Sequence, residues 1–302
     1  MPMNRIPVIL DTDIGTDIDD TWALAMLLNC PELDLRLVTT VGGDTTYRAH
    51  LGAKFLQTAG REDIPIGIGL GDRVASLNFQ ARWLDDFDIS SYPGQIRPDG
   101  VRAMLDVIEE AEQPVTLISI GVATNIARAL EIEPNLASKC RFVGMFGSIC
   151  YGYDGSLGPV PEANVRYDVP AFRKVLGAHW LDKIITPLDT CGRVTLDGTR
   201  YQQVYRSGNP TLRALIENYH IWAEEVSWME VDYFETRSST LFDTVAVYLA
   251  YSSNLLDMEQ IRLRITDDGL TYPDPAGYQV QVALRWRDIE GFLDHLLERL
   301  RP

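Results

Sequence analysis

Basic residues are scarce in this sequence of 302 residues, and lysine is the scarcest of them. The 27 lysines and arginines are outnumbered by 43 acidic residues, which gives a formal net charge of -16 and a sequence pI near 4.6. Such a charge repels phosphate groups, so the composition argues against nucleic acids and anionic membranes as partners. The lysines are Lys54, Lys139, Lys174 and Lys183.

Long apolar runs and cysteine motifs are also missing. No apolar run reaches the roughly 18 residues of a membrane-spanning helix, and residues 1–7 lack the pattern of a signal peptide. The cysteines show neither CxxC nor metal-ligand spacing, which is typical of a reducing compartment or of simple burial. We therefore expect a cytoplasmic protein without a membrane partner. Because the chain shows no internal repeat, we expect residues 1–302 to form one domain.

Acidic residues are plentiful, and five aspartates follow an apolar run close to the N-terminus. The run ends in these acids, and a helical pattern of apolar residues begins at Trp22. This arrangement predicts a buried strand, an acidic loop at its carboxyl end and a helix packed on the sheet. The five acids are Asp11, Asp13, Asp17, Asp19 and Asp20.

Converging carboxylates repel one another and need a cation, a shared proton or full hydration. Two charges about 4 Å apart cost roughly 4 kcal/mol at an effective dielectric near 20, and hard oxygen ligands favour Ca²⁺ or Mg²⁺. The alternative is structural: Thr16 or Asp17 is the N-cap, and Asp19 and Asp20 stabilise the positive end of the helix. That alternative leaves the two strand-side aspartates unexplained, so the pattern favours a metal site.

Strands and helices alternate along the rest of the chain. Parallel strands need crossover connections, so this alternation predicts an α/β fold with a mostly parallel central sheet and helices on both faces, a Rossmann-like open sheet. The irregular stretch at 71–99 carries several aromatics and is predicted to form a packed lid. Further strands are predicted at 34–40, 65–69, 114–120, 141–146 and 183–187, and further helices at 47–59, 101–111, 123–130, 170–176, 217–234 and 240–251.

Polar residues follow several of the predicted strands at their carboxyl ends. Asp44 follows the second strand, Thr124 and Asn125 follow a central strand, and Glu162 and Asn164 follow the next one. Ligands of open α/β sheets bind beyond this edge. The repetition therefore predicts that these residues share one site with the acidic loop.

Five short motifs occur in a fixed order over most of the chain. The first is DTD at 11–13 followed by Gly15 and the Asp19-Asp20 pair, and the second is VGGD at 41–44. The others are SIGVATNIARAL at 119–130, PEANV at 161–165 and FDTVAV at 242–247. In sequence and order these motifs resemble those of the inosine-uridine nucleoside hydrolase family.

The resemblance implies an N-ribohydrolase that holds one Ca²⁺ and cleaves the N-glycosidic bond of a nucleoside or related riboside. Asp13 would be a calcium ligand and the general base that activates the metal-bound water, and Asp11 would support the cluster. An anionic pocket would also stabilise an oxocarbenium-like transition state. The other calcium ligands would be Asp20, Asp243 and the backbone carbonyl of Thr124.

The resemblance also implies a set of groups that hold the ribose hydroxyls. The spacing after Gly15 is two residues longer than in the shorter family motif, so Asp17 competes with Asp19 for contact with the sugar, and Asp19 is favoured. The family is usually dimeric or tetrameric, which implies a homo-oligomer. The implied sugar ligands are Asp19, Asp44, Glu162 and Asn164.

Position 242 departs from one branch of the family, in which a histidine before the last aspartate protonates the leaving base. Here the position is Phe242, and none of the histidines lies in a recognisable catalytic motif, although His220 lies near the expected base pocket. An aromatic ring at 242 favours stacking on a purine instead, so Phe242 is predicted to contact the substrate. Both a base pocket and the core stay open as locations for Trp83, Trp222, Trp228 and Tyr233.

Two functions from other classes stay open. The first acids superficially resemble the DxDGT motif of haloacid dehalogenase-like phosphohydrolases, in which the first aspartate, here Asp11, is the nucleophile. Ile14 interrupts that motif, and no convincing downstream lysine and paired aspartates follow it. The second alternative is a protein that binds ribosides without cleaving them, because the acid for the leaving group is absent.

Overall fold

The computed structural model describes residues 5–71 and 77–301. The predicted lid therefore lies partly, at 72–76, outside the described residues, as do the first four residues. Its described part contains two 3-10 turns, Ala81–Leu84 and Ile89–Ser91. The Trp83 ring packs 6.4 Å from the Phe55 ring, centroid to centroid, so this part is packed as predicted.

Ten strands of the described chain form one sheet in the order β4-β3-β2-β1-β5-β6-β7-β10-β8-β9. All neighbouring pairs are parallel except β10 with β8 and β8 with β9, which confirms a mostly parallel sheet. The strand order reverses between β1 and β5, the place where open sheets bind ligands. The strands are β1 (Ile6–Thr12), β2 (Leu33–Thr40), β3 (Ile66–Ile68), β4 (Ile96–Arg97), β5 (Val115–Ser119), β6 (Cys140–Met145), β7 (Asp182–Thr186), β8 (Leu256–Ile265), β9 (Thr271–Pro273) and β10 (Tyr278–Trp286).

Helices cover both faces of the sheet, as predicted. Side chains alternate along β1, so Val8 and Leu10 pack into one core and Ile9 into the other. None of the helices in the described residues is long and apolar enough to cross a membrane. The helices are α1 (Asp19–Leu28), α2 (Thr45–Thr58), α3 (Gly100–Glu110), α4 (Thr124–Ile132), α5 (Ala163–Arg166), α6 (Val169–Gly177), α7 (Leu188–Cys191), α8 (Gly198–Tyr205), α9 (Pro210–Glu225), α10 (Thr244–Leu249) and α11 (Ile289–Leu300).

The prediction of a helix at 217–234 is wrong at both ends. The α9 helix begins at Pro210, because the Asn209 side chain caps it by accepting hydrogen bonds from the N–H groups of Thr211 and Leu212. It ends at Glu225, and the aromatics beyond it lie in an irregular segment. The sequence patterns did not predict β4, a two-residue edge strand, or the C-terminal strands β8, β9 and β10.

Candidate active site

Three buried carboxylates meet at the carboxyl edge of the sheet. Asp19 and Asp20 are the first two residues of α1, and Asp243 immediately precedes α10, which packs against α1. One oxygen from each lies within 4.8 Å of the others, and the residues are 4%, 3% and 3% exposed. These three residues are termed the carboxylate cluster. Helix packing thus brings together acids that are distant in sequence.

The carboxylate cluster is electrostatically unfavourable without a cation or bound protons. Burial is the largest cause that raises the pKa of all three carboxyls well above the usual range, and neighbouring negative charges raise it further. Carboxylate oxygens are the ligands that Ca²⁺ and Mg²⁺ prefer. The donor set, its spacing and its burial therefore fit a hard divalent ion.

Asp13 lies beside the carboxylate cluster and is more accessible. Its side chain is 26% exposed, and its negative charge raises the pKa of every cluster member and of Glu162. Burial raises the pKa of Asp13 itself, whereas the Arg48 guanidinium, 4.0 Å from the Asp13 carboxylate, acts to lower it. Asp13 thus combines proximity to the cluster with access to solvent water, as a general base requires.

Thr12 and Asp11, at the end of β1, are buried and hydrogen-bonded. The Thr12 hydroxyl donates a hydrogen bond to Asp20. Asp11 accepts hydrogen bonds from Thr39 Oγ1 at 2.6 Å and from Asn125 Nδ2 at 2.7 Å, and burial raises its pKa to about 7. Asp11 is thus held between β2 and α4, where it is 1% exposed, and its support of the cluster stays a prediction.

Glu162 and Asn164 lie together in the segment after β6. The Glu162 carboxylate accepts hydrogen bonds from the N–H groups of Gly147 at 2.9 Å, Asn164 at 2.7 Å and Val165 at 3.2 Å. Burial nevertheless raises the Glu162 pKa to about 7, because it outweighs these bonds. The Asn164 amide donates to carbonyls at the ends of β5 and β6, and contact of Glu162 and Asn164 with a sugar stays a prediction.

Asp44 and Thr124 lie at the same edge but have structural partners. Asp44 caps α2 by accepting hydrogen bonds from the N–H groups of Thr46 and Tyr47 at 3.1 and 3.0 Å. The Thr124 hydroxyl donates to Asp168 at 2.6 Å, at the first turn of α4. A sugar contact for Asp44 and a metal-binding carbonyl for Thr124 stay predictions.

Phe242 immediately precedes Asp243 of the carboxylate cluster in the chain. Its half-buried ring meets the Tyr153 ring edge-on, with centroids 6.1 Å apart. The other aromatic candidate, His220, stacks on Phe234 and pairs with Glu224 at 3.3 Å on an exposed part of α9. Phe242 thus adjoins the carboxylate cluster along the chain, whereas the contacts of His220 are with Phe234 and Glu224 on an exposed part of α9.

The remaining aromatic candidates divide between core and surface. Trp83 and Trp222 are buried, whereas Trp228 is about half exposed and meets Phe79 edge-on. The Tyr233 ring is half-buried and lies under the Arg237 guanidinium at 3.9 Å. Trp83 and Trp222 are thus core residues, while Trp228 and Tyr233 lie on the irregular segment after α9.

The family resemblance implies that Asp19 holds a hydroxyl of the sugar. The structure places Asp19 in the carboxylate cluster. The sequence patterns did not identify Thr12 or Arg48 as residues of the site. The signal available for Asp19 was its position next to Asp20, since the two are the first residues of α1 and lie in its first turn. No signal pointed to Arg48, because an arginine in a predicted helix is usually solvated.

The model of the family described as inosine-uridine preferring nucleoside hydrolase matches residues 8–293. The chain is 31% identical over 200 residues to the non-specific ribonucleoside hydrolase RihC of Klebsiella pneumoniae subsp. pneumoniae, an alignment that spans 64% of this chain and 64% of that relative's length. It is 23% identical over 285 residues to the probable uridine nucleosidase 2 of Arabidopsis thaliana, which covers 89% of this chain and 84% of the relative.

A solved structure shares the fold over nearly the whole chain. The plant nucleoside hydrolase PpNRh1 superposes with a TM-score of 0.81 at 23% identity and covers 98% of this chain and 99% of that one. This likeness confirms the predicted α/β fold. Because the family model matches almost the entire sequence, the chain belongs to the inosine-uridine preferring nucleoside hydrolase family, a family of hydrolases that act on N-glycosyl compounds.

Proposed function

We propose that the chain hydrolyses the N-glycosidic bond of ribonucleosides to give ribose and free base. The observation that carries this proposal is the convergence of Asp19, Asp20 and Asp243 at the carboxyl edge of the sheet, with Asp13 beside them. The names of the relatives from K. pneumoniae and A. thaliana agree with a ribonucleoside substrate. The net charge of -16 agrees with an uncharged substrate rather than a nucleotide.

We propose Ca²⁺ as the ion that the site holds. The proposed ligands are Asp13, Asp20, Asp243 and the Thr124 carbonyl, and Asp19 is proposed to hold a sugar hydroxyl next to them. Calcium takes six to eight oxygens, so this set leaves positions for water and substrate. Such an ion, when bound, lowers the pKa of a water molecule and polarises the sugar hydroxyls.

Asp13 accepts a proton in the proposed reaction. As water attacks C1′, its proton passes to the Asp13 carboxylate, the C1′–N bond breaks, and the base leaves with the bonding electron pair and takes a proton from solvent. Positive charge develops on the sugar, and the surrounding carboxylates stabilise it. Glu162 and Asn164 orient the ribose through its hydroxyls, and the Phe242 ring stacks on the base.

The structure does not favour the phosphohydrolase alternative. That function requires Asp11 as an exposed nucleophile, but Asp11 is buried and one of its oxygens is held by Thr39 and Asn125. A riboside-binding protein without hydrolysis remains the second candidate, because Phe242 cannot donate a proton to the leaving base.

A panel of substrates tests the proposed function. We expect release of reducing sugar from purine or pyrimidine ribosides, with at least a hundredfold lower kcat/KM for 2′-deoxyribosides, because a missing hydroxyl leaves buried polar groups unpaired. Nitrophenyl riboside, which needs no activation of the leaving group, is included in the same assay. Heat-denatured protein is the control. Calorimetric binding of nucleosides without sugar release from any substrate would support the binding protein instead.

Neutralising one proposed ligand should weaken the metal site. We expect Asp20→Asn or Asp243→Asn to raise the dissociation constant for Ca²⁺ about 100-fold, because an uncharged amide replaces a buried carboxylate. Calorimetry on chelator-stripped protein measures the effect. Asp182→Asn is the control, since Asp182 is exposed at the amino end of β7, opposite the edge that carries the acids. Unchanged affinity in both cluster variants would place the ion elsewhere.

We also propose that the chain acts as a single-domain, cytoplasmic homo-oligomer. The one sheet that runs through the described residues supports the single domain. Light scattering coupled to gel filtration measures the oligomeric state, and a mass equal to the 33.9 kDa protomer would contradict it.

A further inference from the structure

The loop that carries the acids is held by hydrogen bonds from side chains to its backbone carbonyls. Between the end of β1 and the start of α1, five consecutive backbone carbonyls, those of residues 13–17, each accept a hydrogen bond from a side chain. The donors come from α2, from the irregular segment before the first 3-10 turn and from α9. The four donor residues, Tyr47, Arg48, Gln80 and Trp222, are termed the carbonyl clamp.

Arg48 holds the first part of the loop. It is 5% exposed, and its guanidinium donates to the carbonyl of Asp13, to that of Ile14 at 3.0 Å and to Thr16 Oγ1 at 2.9 Å. Its Nε donates to the Gly42 carbonyl at 2.7 Å, which fixes the guanidinium against the end of β2. Arg48 therefore gives its hydrogen bonds to two loop carbonyls, to Thr16 Oγ1 and to Gly42, while its guanidinium lies 4.0 Å from the Asp13 carboxylate.

Tyr47 and Gln80 hold the second part of the loop as a linked pair. The Tyr47 hydroxyl donates to the Gly15 carbonyl at 3.1 Å and accepts from the Gln80 backbone N–H at 3.1 Å. The Gln80 side chain, fully buried, donates to the Asp17 carbonyl at 2.6 Å and accepts from Asn218 Nδ2 at 2.8 Å. Residues remote in sequence thus meet at the loop.

Gly15 shows how closely the carbonyl clamp fits the loop. Its φ of +111° suits glycine, and a Cβ at this position would lie 2.6 Å from Cε1 of Tyr47. Trp222 completes the clamp from α9, where its Nε1 donates to the Thr16 carbonyl at 3.1 Å. The loop backbone is therefore held by both contact and hydrogen bonds.

We propose that the carbonyl clamp sets the metal affinity of the site by holding the acid loop in its binding conformation before the ion arrives. Tyr47, Arg48, Gln80 and Trp222 are positioning residues, because their donors reach loop carbonyls and not the proposed ion. The repulsion among the acids favours opening of a metal-free loop, and the clamp opposes that opening. This inference rests on the metal site proposed above.

The carbonyl clamp also couples the ion to a second segment of the chain. Gln80 belongs to the irregular segment before Ala81–Leu84, and its N–H bonds to Tyr47. Linkage is reciprocal: a clamp that raises the affinity for the metal is itself stabilised by the bound metal. The equilibrium between its hydrogen-bonded and open states then shifts by the same factor as the metal affinity. Calcium should therefore protect the Gln80 amide from exchange with solvent.

A pair of matched variants tests the proposal. Tyr47→Phe deletes the hydroxyl and keeps the ring that faces Gly15. On chelator-stripped full-length protein titrated with CaCl₂, we expect its dissociation constant to rise about tenfold, as is typical for groups that orient metal ligands. Tyr201→Phe is the control, because Tyr201 is fully buried and its hydroxyl also donates to a carbonyl, that of Phe234, outside the acid loop. Its calcium affinity should be unchanged.

The outcomes separate a positioning role from a merely structural one. Equal calcium affinity in Tyr47→Phe, Tyr201→Phe and the wild type would overturn the proposal, whatever the loss of thermal stability. Hydrogen exchange on the wild-type protein gives an independent result that needs no variant: unchanged protection of the Gln80 amide on adding CaCl₂ would also overturn it. Failure of the wild type to bind CaCl₂ would instead contradict the proposed metal site itself.

Discussion

Replacing Asp13 by alanine is expected to lower kcat for ribonucleoside hydrolysis by about 10³-fold or more. General base catalysis alone contributes roughly 10² to 10⁴-fold, and Asp13 is also a proposed ligand of the ion. Its position supports this expectation, because the carboxylate is partly exposed and its charge acts on every member of the carboxylate cluster. Steady-state release of reducing sugar with saturating CaCl₂ measures the loss.

A conservative variant tests the same position, and a surface variant serves as its control. Asp13→Asn keeps the shape of the side chain but cannot accept the proton, so its kcat should fall nearly as far as that of the alanine variant. Asp34→Asn is the control, since Asp34 lies on β2 and pairs with Arg36 at the surface. Activity of Asp13→Ala within tenfold of the wild type, at full calcium occupancy, would remove Asp13 from the mechanism.

Removing the ion should abolish turnover and destabilise the fold. An ion that binds only the folded state stabilises it by about 4 kcal/mol when present at a thousand times its dissociation constant. We therefore expect chelation to lower the melting temperature by several degrees and CaCl₂ to restore both stability and activity. Differential scanning calorimetry and the sugar assay on the same sample measure the two effects.

The stability of the chelated protein should also depend on pH. Burial raises the pKa of Asp11 and Glu162 to about 7 from ordinary values near 4, so the folded state binds protons that the unfolded state has released. The stabilisation from these protons is fully present below pH 4 and is lost as the pH rises through 7. Between pH 5.5 and 8.0 the melting temperature should fall by about 5 °C.

Calcium should weaken or reverse this trend, because the ion replaces the protons that the carboxylate cluster would otherwise bind. A matched series with saturating CaCl₂ therefore serves as the comparison. A chelated protein whose melting temperature rises steadily from pH 5.5 to 8.0 would show that the acids are not buried together as the structure has them. Full activity after exhaustive chelation would contradict the role of the ion.

The parts of the site that sequence reasoning predicted lie in local patterns. Apolar strands followed by acids predict the carboxyl edge of the sheet, whereas only the family resemblance implied that Asp20 and Asp243 meet there. The C-terminal strands β8 and β10 were not predicted, because their mixture of apolar and polar residues marks a strand less clearly than the continuous apolar runs of the buried parallel strands do. The helix predicted at 217–234 followed its aromatics, of which Tyr219 and Trp222 are buried and Trp228 is about half exposed, and aromatics do not determine where a helix begins or ends.

The sequence by itself determined the alternation of strands and helices, the acid-rich end of β1 and the resemblance to one family, because each of these lies in residues close together along the chain. Only the tertiary structure decided that Asp19 joins the carboxylate cluster and that Tyr47, Arg48, Gln80 and Trp222 meet one loop. These contacts depend on how helices far apart in sequence pack across the sheet. No local sequence pattern predicts these hydrogen bonds, because each joins a side chain to a carbonyl that is distant in sequence and near only in the folded chain.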